Sequence, residues 1–313
     1  MTKFSTGRLQ EEGSINFMAD MKYKNTESIR YVVITPVRNE EKFIIKTADS
    51  MVAQTIRPVQ WIIVNDGSTD STASVIDQYA AKYSWITTLH RKDRGFRKPG
   101  TGVMEAFYEG YSKVARDFDF IVKLDGDLSF DEEYFEKCFE KFKVDPQLGV
   151  GGGEVLSIVN DKLISEKNPR FHVRGATKIY RKACWEAIGA LVIAPGWDTL
   201  DEVKANMMGW KTYSFSDLFL KQLKFTGSAD GKWKNWFKNG RSHYIAGYHP
   251  IFVLVRAMKF FIQNPINIRY IALLVGFATG FASKQKRVED RELIGYLQKQ
   301  QLNRLLFRKT IWK

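Results

Sequence analysis

Between Tyr31 and Asp127, short apolar runs alternate with stretches of helical periodicity. Tyr31–Thr35, Gln60–Asn65, Ile86–His90 and Phe120–Asp125 read as strands. Glu40–Ala53, Ser71–Tyr83 and Gly102–Val114 read as helices, the second with Asp70 or Ser71 as its N-cap. A strand, a crossover helix and a second strand pack as right-handed βαβ units, so this alternation predicts an α/β fold with a mostly parallel sheet flanked by helices. In such sheets ligands gather outside the carboxyl ends of the strands. Asn39-Glu40, Asp66 and Asp125–Asp127 all follow predicted strands and are therefore expected to converge on one edge.

The segment Ile121-Val122-Lys123-Leu124-Asp125-Gly126-Asp127 ends a strand on two carboxylates one glycine apart. Two carboxylates held close repel unless a positive charge sits between them. Mg²⁺ or Mn²⁺ answers that need, because both prefer hard oxygen ligands and complete their shell with water and phosphate. Gly126 would permit a tight bend and a close approach by a ligand. Asp66, in Asn65-Asp66-Gly67-Ser68-Thr69-Asp70, would point into the same crevice, where a carboxylate can accept from a nucleobase N–H or ribose hydroxyls. The loop Arg91-Lys92-Asp93-Arg94-Gly95-Phe96-Arg97-Lys98 also follows a strand. Its Arg94, Arg97 and Lys98 are candidate phosphate contacts.

Further along, Asp131–Phe142 and Arg181–Gly189 read as helices and Val150–Val159 as a strand. Gly151-Gly152-Gly153 lacks the Gly-Lys-Ser/Thr of a phosphate loop and is expected to serve close backbone packing or a bend. Past about Gly240 the composition changes. Ile251–Ile262 and Ile271–Ala282 are apolar blocks too short to span a bilayer and flanked by aromatic and basic residues. They fit interfacial helices on the cytoplasmic face of a membrane, and a pair of buried helices is the plainer alternative. The formal net charge of +13 suits phosphate-bearing substrates or anionic lipid. No recognisable nucleic-acid module accompanies it. Cys138 and Cys184 form no metal-like spacing, and the first thirty residues lack the apolar core of a signal peptide, so a cytosolic main domain is expected.

Taken together, Val33-Ile34-Thr35-Pro36-Val37-Arg38-Asn39-Glu40, Asn65–Asp70 and Leu124-Asp125-Gly126-Asp127 resemble the family 2 glycosyltransferases of the GT-A fold, over roughly Tyr31 to Thr226. With the change of composition past Gly240, the expected organisation is an extension over residues 1–29, a catalytic domain over 30–240 and a membrane-associated helical region over 241–313. The resemblance implies that Thr35, Pro36 and Glu40 line the nucleoside pocket and that Asp66 holds the base. By the same resemblance Asp125 contacts the ribose or a metal-bound water, while Asp127 binds Mg²⁺ or Mn²⁺ on the diphosphate. A UDP-sugar is the expected donor only because the family most often uses one, and a lipid-linked sugar or polysaccharide is the expected acceptor.

Inverting transfer also needs a base for the acceptor hydroxyl. In the family this is an acidic residue ahead of a helix ending in Gly plus an aromatic, here Pro195-Gly196-Trp197-Asp198-Thr199-Leu200-Asp201-Glu202 leading to Gly209-Trp210. Counting back from Gly209 selects Asp198. The residue before it is Trp197 where the family commonly has Glu, which keeps Asp201 open as the base, the other carboxylate then capping a helix Asp201–Met208; Glu202 reads as a helix-face residue. A third metal ligand falls nearest Gln222, with His243 and His249 as other candidates. A different class, a non-catalytic protein of the same fold binding nucleotide or anionic lipid, would need no such complete acidic set.

Overall fold

The computed structural model describes residues 29–96, 101–115, 117–159, 162–165, 168–189, 191–224, 231–263, 265 and 269–312. Strands β1 (Tyr31–Val37), β2 (Gln60–Asn65), β3 (Ile86–His90) and β4 (Phe120–Leu124) lie in the order β3-β2-β1-β4, all parallel. They alternate with helices α1 (Ile44–Val52), α2 (Thr72–Lys82) and α3 (Thr101–Tyr111). Buried on both faces, β1, β2 and β4 read as near-continuous apolar runs, while the edge strand β3 is only half-buried. Tyr31, Val33, Trp61, Ile63 and Val122 enter one core, while Val32, Ile34, Ile62, Val64 and Ile121 enter the other. The period of two thus serves both layers.

The sheet continues through β8 (Thr177–Arg181), β6 (Leu148–Val159) and β9 (Lys211–Gln222) to β5 (Leu128–Phe130), with β7 (Lys162–Ser165) paired to β6. Among the described residues six of nine strands run one way: β8 is antiparallel to β4 and β6, β9 is parallel to β6, and β5 and β7 are reversed. Helix α4 (Tyr134–Val144) covers the first core with Phe135, Phe139 and Phe142, whose rings stack about Tyr31 and Phe120 at centroid distances of 4.9–5.1 Å. Truncating one such buried ring costs about 3–5 kcal/mol. The triple glycine serves backbone packing, since a Cβ on Gly152 would lie 2.6 Å from the Thr177 carbonyl and one on Gly153 2.6 Å from that of Leu218.

Helices α5 (Lys182–Ile188) and α6 (Trp197–Met207) close the second face. Helix α6 begins four residues before the expected Asp201, because Gly196 takes a left-handed φ of 88° and ends the preceding turn there. Among the described residues four further helices follow: α7 (Gly231–Ile245), α8 (Pro250–Gln263), α9 (Arg269–Ala282) and α10 (Arg291–Leu305). The expected boundary between residues 240 and 241 falls inside α7. This helix packs along α9 so closely that a Cβ on Gly240 would collide with the Leu273 carbonyl. Together α8, α9 and α10 share a third core with Leu200 and Val203 of α6. Among the described residues no helix is long and apolar enough to cross a membrane.

Candidate active site

The carboxyl ends of β2, β1 and β4 are adjacent in the sheet, and the three acidic segments meet there as expected. Asn39, with a positive φ of 54°, ties two of the loops together. Its N–H donates to Ser68 Oγ at 2.9 Å and its side-chain oxygen accepts from the Thr69 N–H at 2.8 Å. Asp70 serves the start of α2, accepting from the Thr72 N–H at 3.0 Å.

Beyond β4, the Asp125 N–H donates to the Ala176 carbonyl and the Leu223 N–H donates to that of Asp127, each at 2.8 Å. The acidic turn is thereby fixed between β8 and the end of β9. Asp127 is buried and accepts a 3.2 Å hydrogen bond from Gln222 Nε2. Burial first, then the carboxylates of Asp125 and Glu40, push the Asp127 carboxyl up to about 7, against Gln222 and Lys224. Lys224 pairs with Glu40 at 2.5 Å, and the buried Lys123 with Asp125. Gly126 serves packing here, since a Cβ on it would lie 2.5 Å from Val37 Cγ1. The close approach expected from a ligand comes instead from the neighbouring strand.

A buried carboxylate facing two others and one amide N–H is a site that a divalent cation would neutralise. Among the described residues no three His, Cys, Asp or Glu side chains form a ready cage. Mg²⁺ at nucleotide sites commonly takes one or two carboxylates and fills its shell with phosphate and water. Asp127, Asp125 and Gln222 fit that donor set. The histidines do not join it. His243 is held between the Asn239 carbonyl and Arg256, and burial with the Arg256 charge drives its pKa down to about 3. His249 accepts from the Ile251 N–H while its own N–H donates to Gln301.

On the nucleoside side the placement departs from expectation. Thr35 is fully buried and its hydroxyl accepts from the Trp61 indole N–H at 2.9 Å, so it is a core residue rather than a pocket wall. Pro36 beside it and Glu40 are half-buried. Asp66 is gripped by Arg94 through two 2.6 Å bonds and by Arg91 at 2.5 Å. Arg94, expected on phosphate, forms this carboxylate fork because the loop after β3 runs hard against Gly67. That glycine has φ of 71°, and a Cβ there would sit 2.6 Å from Asp93 Cα. Bidentate pairing of this kind is among the stronger charge-assisted contacts. Arg97 and Lys98 lie outside the described residues.

The two candidate bases differ sharply. Asp198 occupies the first turn of α6 and is partly exposed. Asp201 is buried and saturated: Lys178 Nζ donates to both its oxygens at 2.8 Å, and the Tyr180 hydroxyl and the Glu202 N–H donate as well. It caps no helix. Glu202, read as a helix-face residue, is fully buried, accepting from Val173 N at 2.6 Å and bonding His172 Nδ1 at 2.8 Å. Lys178 also holds Glu202 at 2.9 Å and donates to the Asp198 carbonyl. Asp198 approaches the acidic turn through Gly175. A Cβ there would meet Asp198 Cβ at 3.2 Å, and the Gly175 carbonyl accepts from the same Lys123 that pairs with Asp125. Sequence reasoning missed Lys123 and Lys178, although a lysine inside an apolar strand run demands a buried carboxylate partner.

Comparison with known proteins bears on the family and the fold. The Glycosyl transferase family 2 profile matches residues 32–189. Glycosyltransferase GlyA of Streptococcus pneumoniae serotype 4 is 26% identical over 149 residues, 47% of this chain and 19% of its own length. The poly-beta-1,6-N-acetyl-D-glucosamine synthase of Staphylococcus aureus is 28% identical over 140 residues, 45% of this chain and 31% of its own length. This chain therefore spans a third or less of these relatives. Among solved structures, S. aureus TarS in complex with UDP-GlcNAc superposes with a TM-score of 0.51 at 17% identity, covering 88% of this chain and 81% of that one. The mannosyltransferase PcManGT from Pyrobaculum calidifontis, in complex with GDP-Man and Mn²⁺, gives 0.51 at 15% identity, covering 90% and 85%. Both likenesses show the shared fold.

Proposed function

The chain belongs to glycosyl transferase family 2, and on that premise we propose how its residues divide the work of transferring a sugar from a nucleotide-sugar. The acceptor hydroxyl attacks the anomeric carbon while the bond from that carbon to the diphosphate breaks. The leaving oxygen keeps the bonding electron pair, and the hydroxyl proton passes to Asp198. Attack from the face opposite the diphosphate inverts the anomeric centre.

Asp127, with Asp125 and Gln222, holds a divalent cation, Mg²⁺ or Mn²⁺. Such an ion supplies Lewis-acid stabilisation of the charge that grows on the diphosphate. Lys123 fixes Asp125 and, through the Gly175 carbonyl, the segment that abuts Asp198. The distance between the donor turn and the base is thereby set by one buried cation. Asp66 and Arg94 form the wall for the nucleoside, and Asp66 recognises the base only when it exchanges part of the guanidinium fork. A UDP-sugar is the favoured donor because the family most often uses one; of the two folds compared, TarS is solved with UDP-GlcNAc and PcManGT with GDP-Man. A saccharide acceptor, lipid-linked or polymeric, is favoured by the likeness to a polysaccharide synthase.

The observation that carries this reading is the pairing of a charge-frustrated Asp127 with a separate, partly exposed Asp198. A panel of UDP-, GDP- and dTDP-sugars, screened with and without Mn²⁺, tests it. We expect one nucleotide-sugar to raise Tm only with the metal and to be consumed only then. Equal consumption in excess chelator would overturn the metal assignment; stabilisation without consumption of any donor, with saccharide acceptors and membrane extract supplied, would overturn the transfer.

A further inference from the structure

Helix α8 turns an apolar stripe outward. Ile251, Leu254, Val255, Met258, Phe261 and Ile262 are 40–75% exposed, at spacings that place them on one helical face. The opposite face, Phe252, Val253 and Ala257, enters the third core. Helix α9 repeats the pattern, with Ile271, Val275 and Phe281 exposed at 41–50% while Leu273 and Phe277 are buried. The two stripes adjoin where Phe261 meets Tyr270 at 5.2 Å between ring centroids. Contiguous exposed apolar surface on this scale marks a covered face.

Charge decides what covers it. From Gly231 to Val288 the chain carries ten Lys and Arg and no Asp or Glu, which accounts for most of the formal net charge of +13. Past the end of α9, Lys286, Arg287 and Arg291 line an open cleft together with Glu289, which pairs with Lys286 at 3.0 Å, and the Arg287 guanidinium lies 5.4 Å over the Tyr244 ring. A second copy of this chain would bring like charge onto like charge. An anionic bilayer matches both the stripe and the cations.

We infer that α8 and α9 form a docking face for an anionic membrane, lying in the headgroup plane rather than crossing it. The apolar stripes enter the headgroup and acyl boundary, and the flanking cations meet lipid phosphates. The inference deepens the proposed function, because the turn leading into α8 packs on the helix that carries Asp198. Tyr248 shares a core with Leu200, and Ala246 Cβ lies 3.5 Å from the position of a Cβ on Gly196. A lipid-linked acceptor in the bilayer would thus approach the base from the membrane side.

Flotation of the full chain with phosphatidylcholine vesicles, with and without phosphatidylglycerol, tests the face. The protein should float with the anionic vesicles, weakly with neutral ones, and less as salt rises. The double variant Leu254→Glu/Ile262→Glu and the single variant Ile271→Glu alter exposed positions and should keep the wild-type Tm. They should weaken vesicle binding at least about tenfold. Protein that stays with the soluble fraction overturns the inference, as does a dimer that the same variants dissociate. Equal flotation with neutral vesicles overturns the role of charge. Binding is read without turnover, so this inference and the proposed chemistry fail separately.

Discussion

Two buried aspartates, Asp127 and Asp201, share a direction of shift and differ in everything else. Burial drives each carboxyl up to about 7. Around Asp127 the next largest influences are like charges, Asp125 and Glu40. Around Asp201 the next is the Lys178 ammonium, which opposes the shift, and Glu202 adds to it. Asp201 has its partners within the chain. Asp127 has a shortage of positive charge that a ligand ion would fill. The difference teaches that burial alone does not identify a functional carboxylate; the identity of its neighbours does. It also removes Asp201 from contention as base, since a group saturated by an ammonium, a phenol and a backbone N–H has no face left for an acceptor.

The largest expected effect breaks or upholds that contrast directly. Asp198→Asn should lower transfer by about 10²- to 10⁴-fold, the usual worth of a general base, with donor affinity unchanged by thermal shift. Asp201→Asn should lose stability and, at temperatures where it stays folded, keep most of its turnover. If instead the folded Asp201→Asn protein lost transfer as completely as Asp198→Asn, the division between structural and chemical carboxylate would be wrong.

Next in size is a stability effect. Lys178→Met leaves Asp201 and Glu202 buried without their cation, and breaking such a pair from one side costs about 3–5 kcal/mol. Pairing it with Asp201→Leu should recover much of that loss, because a matched apolar replacement is often close to neutral. Denaturant midpoints of the single and double variants measure the coupling. A single variant within about 1 kcal/mol of wild type would mean that the network is far better hydrated than its geometry implies.

The contrast also explains how much the sequence disclosed. β2 starts and ends where its apolar run does, since a parallel strand buried on both faces leaves an unbroken signal. The acidic corner was legible for the same reason: its members follow those runs. β8 was not, because it carries Lys178 and a buried lysine looks like a surface residue until its carboxylates are in place. For the same missing partner, Asp201 read as the alternative base or a cap and Glu202 as no more than a helix-face residue. Helix α7 escaped because Gly-Lys-Trp-Lys-Asn-Trp-Phe-Lys has a polar composition, and its packing depends on Gly240 touching the α9 backbone. Arg94 was read as a phosphate ligand because nothing in one dimension says that its loop crosses Gly67.

The smallest effect sharpens the comparison through pH. Both aspartates have folded-state pKa values near 7, above the ordinary carboxylate value of about 4. A raised carboxyl pKa means the native state holds the proton more tightly. The stability that each contributes is therefore fully present below about pH 4 and is lost as pH rises through about 7. Asp127→Asn removes one of the two contributions and leaves that of Asp201. In chelator, the variant's Tm should equal that of wild type at pH 4 and exceed it by about 2–5 °C at pH 8. Mn²⁺ should reverse the order at pH 8, because only the wild-type carboxylate then gains a counter-ion, and the reversal should fade toward pH 5 as protons compete for Asp127. Parallel pH curves for the two proteins would show that Asp127 carries no excess charge, which would remove the reason to place a cation beside it.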